Sequence, residues 1–172
     1  MSASAAVYCR PARDEDADAV AAIYNDGIRG RMATFETAER TAADVLAWLE
    51  TPYPFLVALV GGDDGAIVGW VRASTYRPRA CYAGIAELSI YVAERARGKR
   101  VGDTLMAAFA PACAAAGIWK LVGRIFPENA ASRALCARHG FREVGVYEKH
   151  AKLDGIWRDV VIVESLIPEN LT

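Results

Sequence analysis

Of its 172 residues the chain has only two histidines and four cysteines, and its net charge is only −1; each of these shortages removes a class of function. The cysteines, at positions 9, 81, 113 and 136, form no CxxC pair. That spacing encodes no disulfide framework and no metal ribbon, and predicts reduced thiols in a cytoplasmic protein. His139 and His150 are eleven residues apart and the cysteines show no metal-ligand spacing, so no metal is expected. No apolar run approaches the ~20 residues that a membrane helix needs, and the opening "MSASAAVYCRPARDED" lacks the apolar core of a signal peptide. No membrane contact is expected. Twenty basic against 21 acidic residues give no overall field toward nucleic acid, so no nucleic-acid partner is expected either. What remains is globular composition, 53% hydrophobic and 24% charged, for a single domain over residues 1–172.

Patterning predicts the order of elements. "AAVYCRPA" reads as a strand stopped by Pro11. The helix that follows has Asp14 as its expected N-cap, Val20, Ile23 and Tyr24 on one face, and Gly27 and Gly30 ending the pattern. A second helix opens at Thr41 and Asp44 in capping-box spacing and stops at Pro52. "FLVALV" and "AIVGWVRASTY", joined by "GGDDG", read as a hairpin, and "YAGIAELSIYVA" as the next strand. Then come a helix with Val101, Leu105, Met106 and Phe109 on one face, the strand "WKLVGRIF", a short helix ended by Gly140, and two strands joined through "DG". The sum is βααβββαβαββ, an α/β domain with no internal repeat.

One stretch stands out against the neutral background. "RARGKRVG", residues 95–102, holds four cations and two glycines and lies where a strand ends and a helix begins. A helix start leaves backbone N–H groups unpaired and gathers positive partial charge. Glycine permits close approach and arginine offers forked donors. A diphosphate suits such a turn, although neither the P-loop nor the dinucleotide glycine pattern is present.

On these residues the chain resembles the GNAT N-acetyltransferase superfamily. "ELSIYVAERARGKRVGDTLM" is similar to its acetyl-CoA-binding segment, with Arg100 standing where the pattern has its middle glycine. "PENAASRALCARHGFREVG" is similar to the family's Asn-x-x-Ser to Gly-Phe segment. The resemblance implies a mixed central sheet of about seven strands flanked by about four helices. It also implies acetyl-CoA as co-substrate and a cofactor cradle at Arg97, Gly98, Lys99, Arg100, Val101 and Gly102. Asn129 and Ser132 are assigned by it to the cofactor arm, and the backbone amides of Leu88, Ile90 and Val92 to the acetyl carbonyl and the pantetheine. Strand alternation sets Glu87, Ser89 and Tyr91 on one face; relatives have at the position of Glu87 a glutamate that takes the amine's proton, usually through water. Cys136 occupies a slot where many relatives carry a tyrosine that protonates the departing thiolate, and a buried structural cysteine is the expectation here.

Within the superfamily, "ATFE" (33–36), "RPRACY" and "KLDGIWRDVVIVE" resemble the branch of phosphinothricin, methionine sulfoximine and arsinothricin N-acetyltransferases. That branch implies a small amino-acid-like substrate held by Arg77, Arg79, Tyr82 and Phe35, resistance to such antimetabolites, and a homodimer. Acetylation of a protein N-terminus or another amine stays open at this point, as does a non-catalytic acyl-CoA-binding module.

Overall fold

The structure, a computed structural model, describes residues 6–172. Its elements follow the order that the patterning predicts: β1 (Val7–Pro11), α1 (Ala17–Arg29), α2 (Ala42–Leu49), β2 (Phe55–Val60), β3 (Ala66–Thr75), β4 (Ile85–Val92), α3 (Val101–Ala115), β5 (Lys120–Ile125), α4 (Ala130–Arg138), β6 (Arg142–Leu153) and β7 (Ile156–Leu166). The strands form one mixed sheet in the order β1-β2-β3-β4-β5-β7-β6. Only β4 and β5 run parallel, because a helix, α3, carries the chain back to the same end of the sheet between them. Among the described residues no helix is long and apolar enough to cross a membrane.

Helices cover both faces of the sheet. On one face α3 buries Val101, Leu105, Met106 and Phe109, the stripe read from the sequence, together with Cys113, in a core shared with Ala86 and Leu88 of β4 and Leu121 and Ile125 of β5. On the other, Val20 and Ile23 of α1 and Val45 of α2 pack on Val57, Leu59 and Trp70. Gly27 does not help to end α1, as the sequence suggests, but lies inside it. A Cβ there would stand 2.8 Å from the Tyr91 ring, so the glycine lets the helix settle onto β4.

The start of α1 also departs from expectation. Asp14 is not the cap; Asp14–Asp16 form a 3-10 turn, and the carboxylate in use is that of Asp16. It accepts from the Arg13 N–H at 2.7 Å and from both terminal nitrogens of Arg10 at 2.7 and 2.9 Å. Arg10 on β1 is 7% exposed and Asp16 2%. A buried guanidinium without a counter-charge is costly; Asp16 meets this one on its terminal nitrogens, and Asp63 Oδ1 stands 3.1 Å from its Nε. Burial pushes the Asp16 carboxyl up, but hydrogen bonds from Arg10 and from the Arg13 N–H outweigh it and hold the group below the usual range. Asp16→Asn is therefore expected to lower the unfolding free energy by about 3–5 kcal/mol at neutral pH, measured by urea titration. Because the folded carboxyl is the stronger acid, this stabilisation is complete above the unfolded pKa of about 4 and disappears as pH falls through the folded value. The gap between wild type and variant should close in acid.

Candidate active site

β4 and β5 are paired over three residues only, Ile85–Lys120, Ala86–Leu121 and Glu87–Val122. Yet β4 stays paired with β3 through Val92, and β5 with β7 through Ile125. Beyond Glu87 each strand follows its own half of the twisted sheet, and a gap opens between them. The Ala93 N–H reaches back across β3 to the Val68 carbonyl at 2.9 Å. By strand alternation the amides of Leu88, Ile90 and Val92 point the other way, into the gap. The Val92 carbonyl on that edge accepts from Arg97 Nε at 3.4 Å.

The gap leads into a cavity of about 450 Å³. Glu87 stands at its fork with 24% of its side chain exposed, in an ion pair with Arg124 of β5. Arg124 Nε donates to Glu87 Oε1 at 3.0 Å and the terminal nitrogen Nη2 donates to Oε2, a two-point fork that fixes the carboxylate's orientation. Arg124 is absent from the sequence reading. Its place on Glu87's face follows from the Glu87–Val122 register, which a single sequence does not reveal.

The segment 33–36 forms one wall of the cavity. Phe35 packs edge-on against Phe126 with centroids 4.8 Å apart. Tyr24 and Tyr91, not Tyr82, are the tyrosines that line the same space. Arg31 Nε binds Asp154 Oδ2 at 2.8 Å, and Asn129 Nδ2 binds the Met32 carbonyl at 3.1 Å, so the wall is fastened at its base. Asn129 also caps α4, its oxygen accepting from the Ser132 N–H at 3.1 Å. Asn129, Ser132 and Cys136 all line the cavity.

Burial weakens two potential proton donors as acids. The Cys136 thiol is pushed up to about 11, and the Tyr91 phenol is pushed up far beyond its ordinary value, in the company of Tyr24. His150 also reaches the cavity. The β6–β7 register slips between Tyr147 and Ala151, with Lys149 at φ 47° and its N–H on Asp159 Oδ1 at 2.7 Å. Such bulges re-aim side chains, and the alternation of a regular strand gives no sign of it.

Arg77, Arg79 and Tyr82 lie elsewhere. They occupy the loop between β3 and β4, where Arg77 sits 5.3 Å from the Tyr76 ring and Arg79 6.0 Å from Tyr82, and none of the three lines the 450 Å³ cavity.

At the other end of the gap is the start of α3. Arg100 adopts φ 62°, ψ 14°, the left-handed conformation a glycine takes freely and another residue takes at a cost of about 1–2 kcal/mol. Arg100 thus takes at the helix start a conformation open to the glycine of the family pattern. Gly98 is likewise at φ 72°. Gly102 serves packing instead: a Cβ there would be 2.9 Å from Leu135 Cδ2, so it lets α3 and α4 touch. The first backbone bond of the helix is Thr104 N–H to the Arg100 carbonyl at 3.0 Å, which leaves the N–H groups of Val101, Gly102 and Asp103 without an intrahelical acceptor. Arg97, Lys99 and Arg100 are exposed and form no ion pair with a described residue. Asp103 in the same turn does not cancel them, because Arg138 at 3.1 Å and His139 at 3.0 Å engage it; those hydrogen bonds, Arg138's foremost, hold its carboxyl below the usual range. Free amides and uncompensated cations at a helix start suit a phosphate group. No group of three or more His, Cys, Asp or Glu able to hold a metal occurs among the described residues.

The comparisons with known proteins agree with this geometry. The acetyltransferase (GNAT) domain matches residues 7–142. The chain is 33% identical over 169 residues to the phosphinothricin N-acetyltransferase of Streptomyces coelicolor, covering 95% of this chain and 98% of the relative. It is 32% identical over 168 residues to the L-methionine sulfoximine/L-methionine sulfone acetyltransferase of Pseudomonas aeruginosa, covering 95% and 94%. Among solved structures, a GNAT superfamily phosphinothricin acetyltransferase from Sinorhizobium meliloti in complex with acetyl-CoA aligns with a TM-score of 0.85 at 28% identity, covering 93% of this chain and 88% of that one. With the fold, the forked strands and these matches in agreement, the chain belongs to the GNAT acetyltransferase family.

Proposed function

We propose that the protein moves the acetyl group of acetyl-CoA to the α-amino group of a small amino-acid-like acceptor of the phosphinothricin or methionine sulfoximine class, and so protects a cell that meets such compounds. The observation that carries this reading is the fork between β4 and β5, which joins the amide-rich start of α3 to the cavity at Glu87. The diphosphate is assigned to Val101, Gly102 and the cations at 97, 99 and 100. The pantetheine lies along the amides of Leu88, Ile90 and Val92, with Asn129 and Ser132 on its other side. A thioester carried down this path ends beside Glu87, and an amide of β4 polarises its carbonyl.

An amine must lose its proton before it attacks. Arg124 takes one lone pair on each oxygen of Glu87 and leaves the others for a water that relays that proton. Collapse of the tetrahedral adduct expels the coenzyme A thiolate. A proton from Cys136, at about 11, would have to move uphill to a thiolate whose conjugate acid has a pKa near that of free cysteine, ~8.5, so the thiolate departs without Cys136. Arg77, Arg79 and Tyr82 stand away from this cavity; the homodimer in this reading comes from the resemblance to the branch, whose members build the pocket at a subunit interface, and the cytoplasmic location from the unpaired cysteines.

Thiol-release kinetics test both roles. Glu87→Gln is expected to lower kcat on phosphinothricin or methionine sulfoximine by about 10²–10³-fold while leaving the KM for acetyl-CoA within twofold or so; full activity in this variant would remove the base from the mechanism. Turnover confined to peptide N-termini would redirect the substrate assignment to proteins. Acetyl-CoA binding with no amine turned over would mark a binding module. Cys136→Ala is expected to keep kcat within about threefold, and a loss of about 10²-fold, the size of a general-acid contribution, would restore the thiol as donor.

A further inference from the structure

β3 lies antiparallel to β4 with Arg72 opposite Ser89 and Ser74 opposite Glu87. Arg72 therefore projects from the same face as Glu87, on the adjoining strand, at a diagonal Cβ separation of about 7–8 Å. It lines a second cavity of about 290 Å³ with Ser74, Ser89, Tyr24 and Glu36. The last three of these also line the cavity of Glu87, so the two spaces adjoin. The Arg72 guanidinium stacks 4.5 Å from the Trp48 ring and has neither an ion pair nor a side-chain hydrogen bond to any described residue. The carboxylates nearby are engaged: Glu36 pairs with Arg40 at 2.7 Å, and Asp44 accepts from the Thr41 N–H at 2.7 Å. Burial pulls Arg72 down to about 10, which leaves it a cation at neutral pH.

Other arginines of the sheet have counter-charges: buried Arg10 has Asp16, half-buried Arg158 has Glu128, and the more exposed Arg124 has Glu87. Arg72 has an aromatic platform and an open space instead. A desolvated guanidinium without a partner is costly to the folded protein, and an arriving oxyanion removes that cost through a two-point hydrogen bond. Trp48 and the strand hold the fork in place beforehand, so little side-chain freedom is lost on binding.

We propose that Arg72 determines acceptor specificity by receiving an oxyanion group of the amino-acid substrate, its carboxylate or its anionic head, while the amine faces Glu87. The assignment rests on the acetyltransferase reading for its biological meaning. Its test does not need turnover.

Calorimetric titration in the presence of coenzyme A compares wild type with Arg72→Gln, Arg72→Ala and Arg72→Lys on three probes. Phosphinothricin carries both anions, methionine sulfoximine only the carboxylate, and the α-carboxamide of phosphinothricin only the anionic head. Gln and Ala should weaken the recognised probes about tenfold or more, the scale of a hydrogen-bonded charge pair, with Lys recovering part and acetyl-CoA affinity unchanged. Losses confined to the two carboxylate probes assign the carboxylate to Arg72; losses confined to the two phosphinate probes assign the head. Equal losses on all three, no loss on any, or no wild-type binding of any probe overturns the proposal. A variant that also loses acetyl-CoA affinity has lost its fold, and Arg72→Lys then decides between the probes. Wild-type binding without acetyl transfer in the thiol assay would refute the acetyltransferase reading and leave Arg72 standing, whereas transfer that is indifferent to Arg72 would refute this assignment alone.

Discussion

Past Glu87 and Val122 the parallel ladder stops, and the N–H groups of Leu88, Ile90 and Val92 on that edge of β4 have no strand partner. Unpaired N–H groups in a half-buried setting are costly unless water or a ligand satisfies them. Pairing with β3 and β7 on the outer edges holds β4 and β5 in place, so the gap cannot close by a slip of one strand. This constraint creates the cavity, aims three amides into it and sets Glu87 where the two strands part. It also fixes the distance from the carboxylate to the start of α3, because β4 runs from one to the other.

Charge is distributed along this gap in two groups. At the α3 end, Arg97, Lys99 and Arg100 add to the positive end of a helix, with the carboxylate of its first turn, Asp103, engaged by Arg138 and His139. At the sheet end, Arg72, Glu87 and Arg124 stand on one face of three adjacent strands, a carboxylate between two cations. Under the proposed reading the first group holds the donor's phosphates and the second arranges the acceptor. Arg124 occupies the carboxylate already present, and Arg72 keeps its donors for one that arrives. Trp48 and Trp70, with Tyr24 and Tyr91, form an aromatic cluster beside Arg72 on this face.

Much of the fold was legible because it depends on local chemistry. The Thr41–Asp44 capping box, the apolar stripe of α3 and the "DG" turn, with Asp154 and Gly155 both at positive φ, follow from residues close in sequence. The place of Glu87 on the cavity side of β4 was legible through strand alternation, and that of residues 97–102 at the start of α3 through the element order. What was not legible depends on register and packing. Arg124 meets Glu87 only through the β4–β5 pairing. Arg72 reads as one polar residue in an apolar strand until its neighbours' carboxylates are seen to be engaged elsewhere. Asp16 displaces Asp14 because a buried Arg10 lies within its reach, and Gly27 stays in α1 because Tyr91 packs against it. Arg77 and Arg79, which the loop chemistry favoured, do not line the 450 Å³ cavity.

The central claim is that the open strand edge and the α3 entrance together hold one extended ligand, and a crystal structure with bound coenzyme A tests it most directly. The account predicts the diphosphate on the N–H groups of Val101, Gly102 and Asp103, and the pantetheine between β4 and β5 bonded to β4 amides. A diphosphate bound away from that helix start, or strands β4 and β5 zipped together through Val92 with the arm outside, would contradict it.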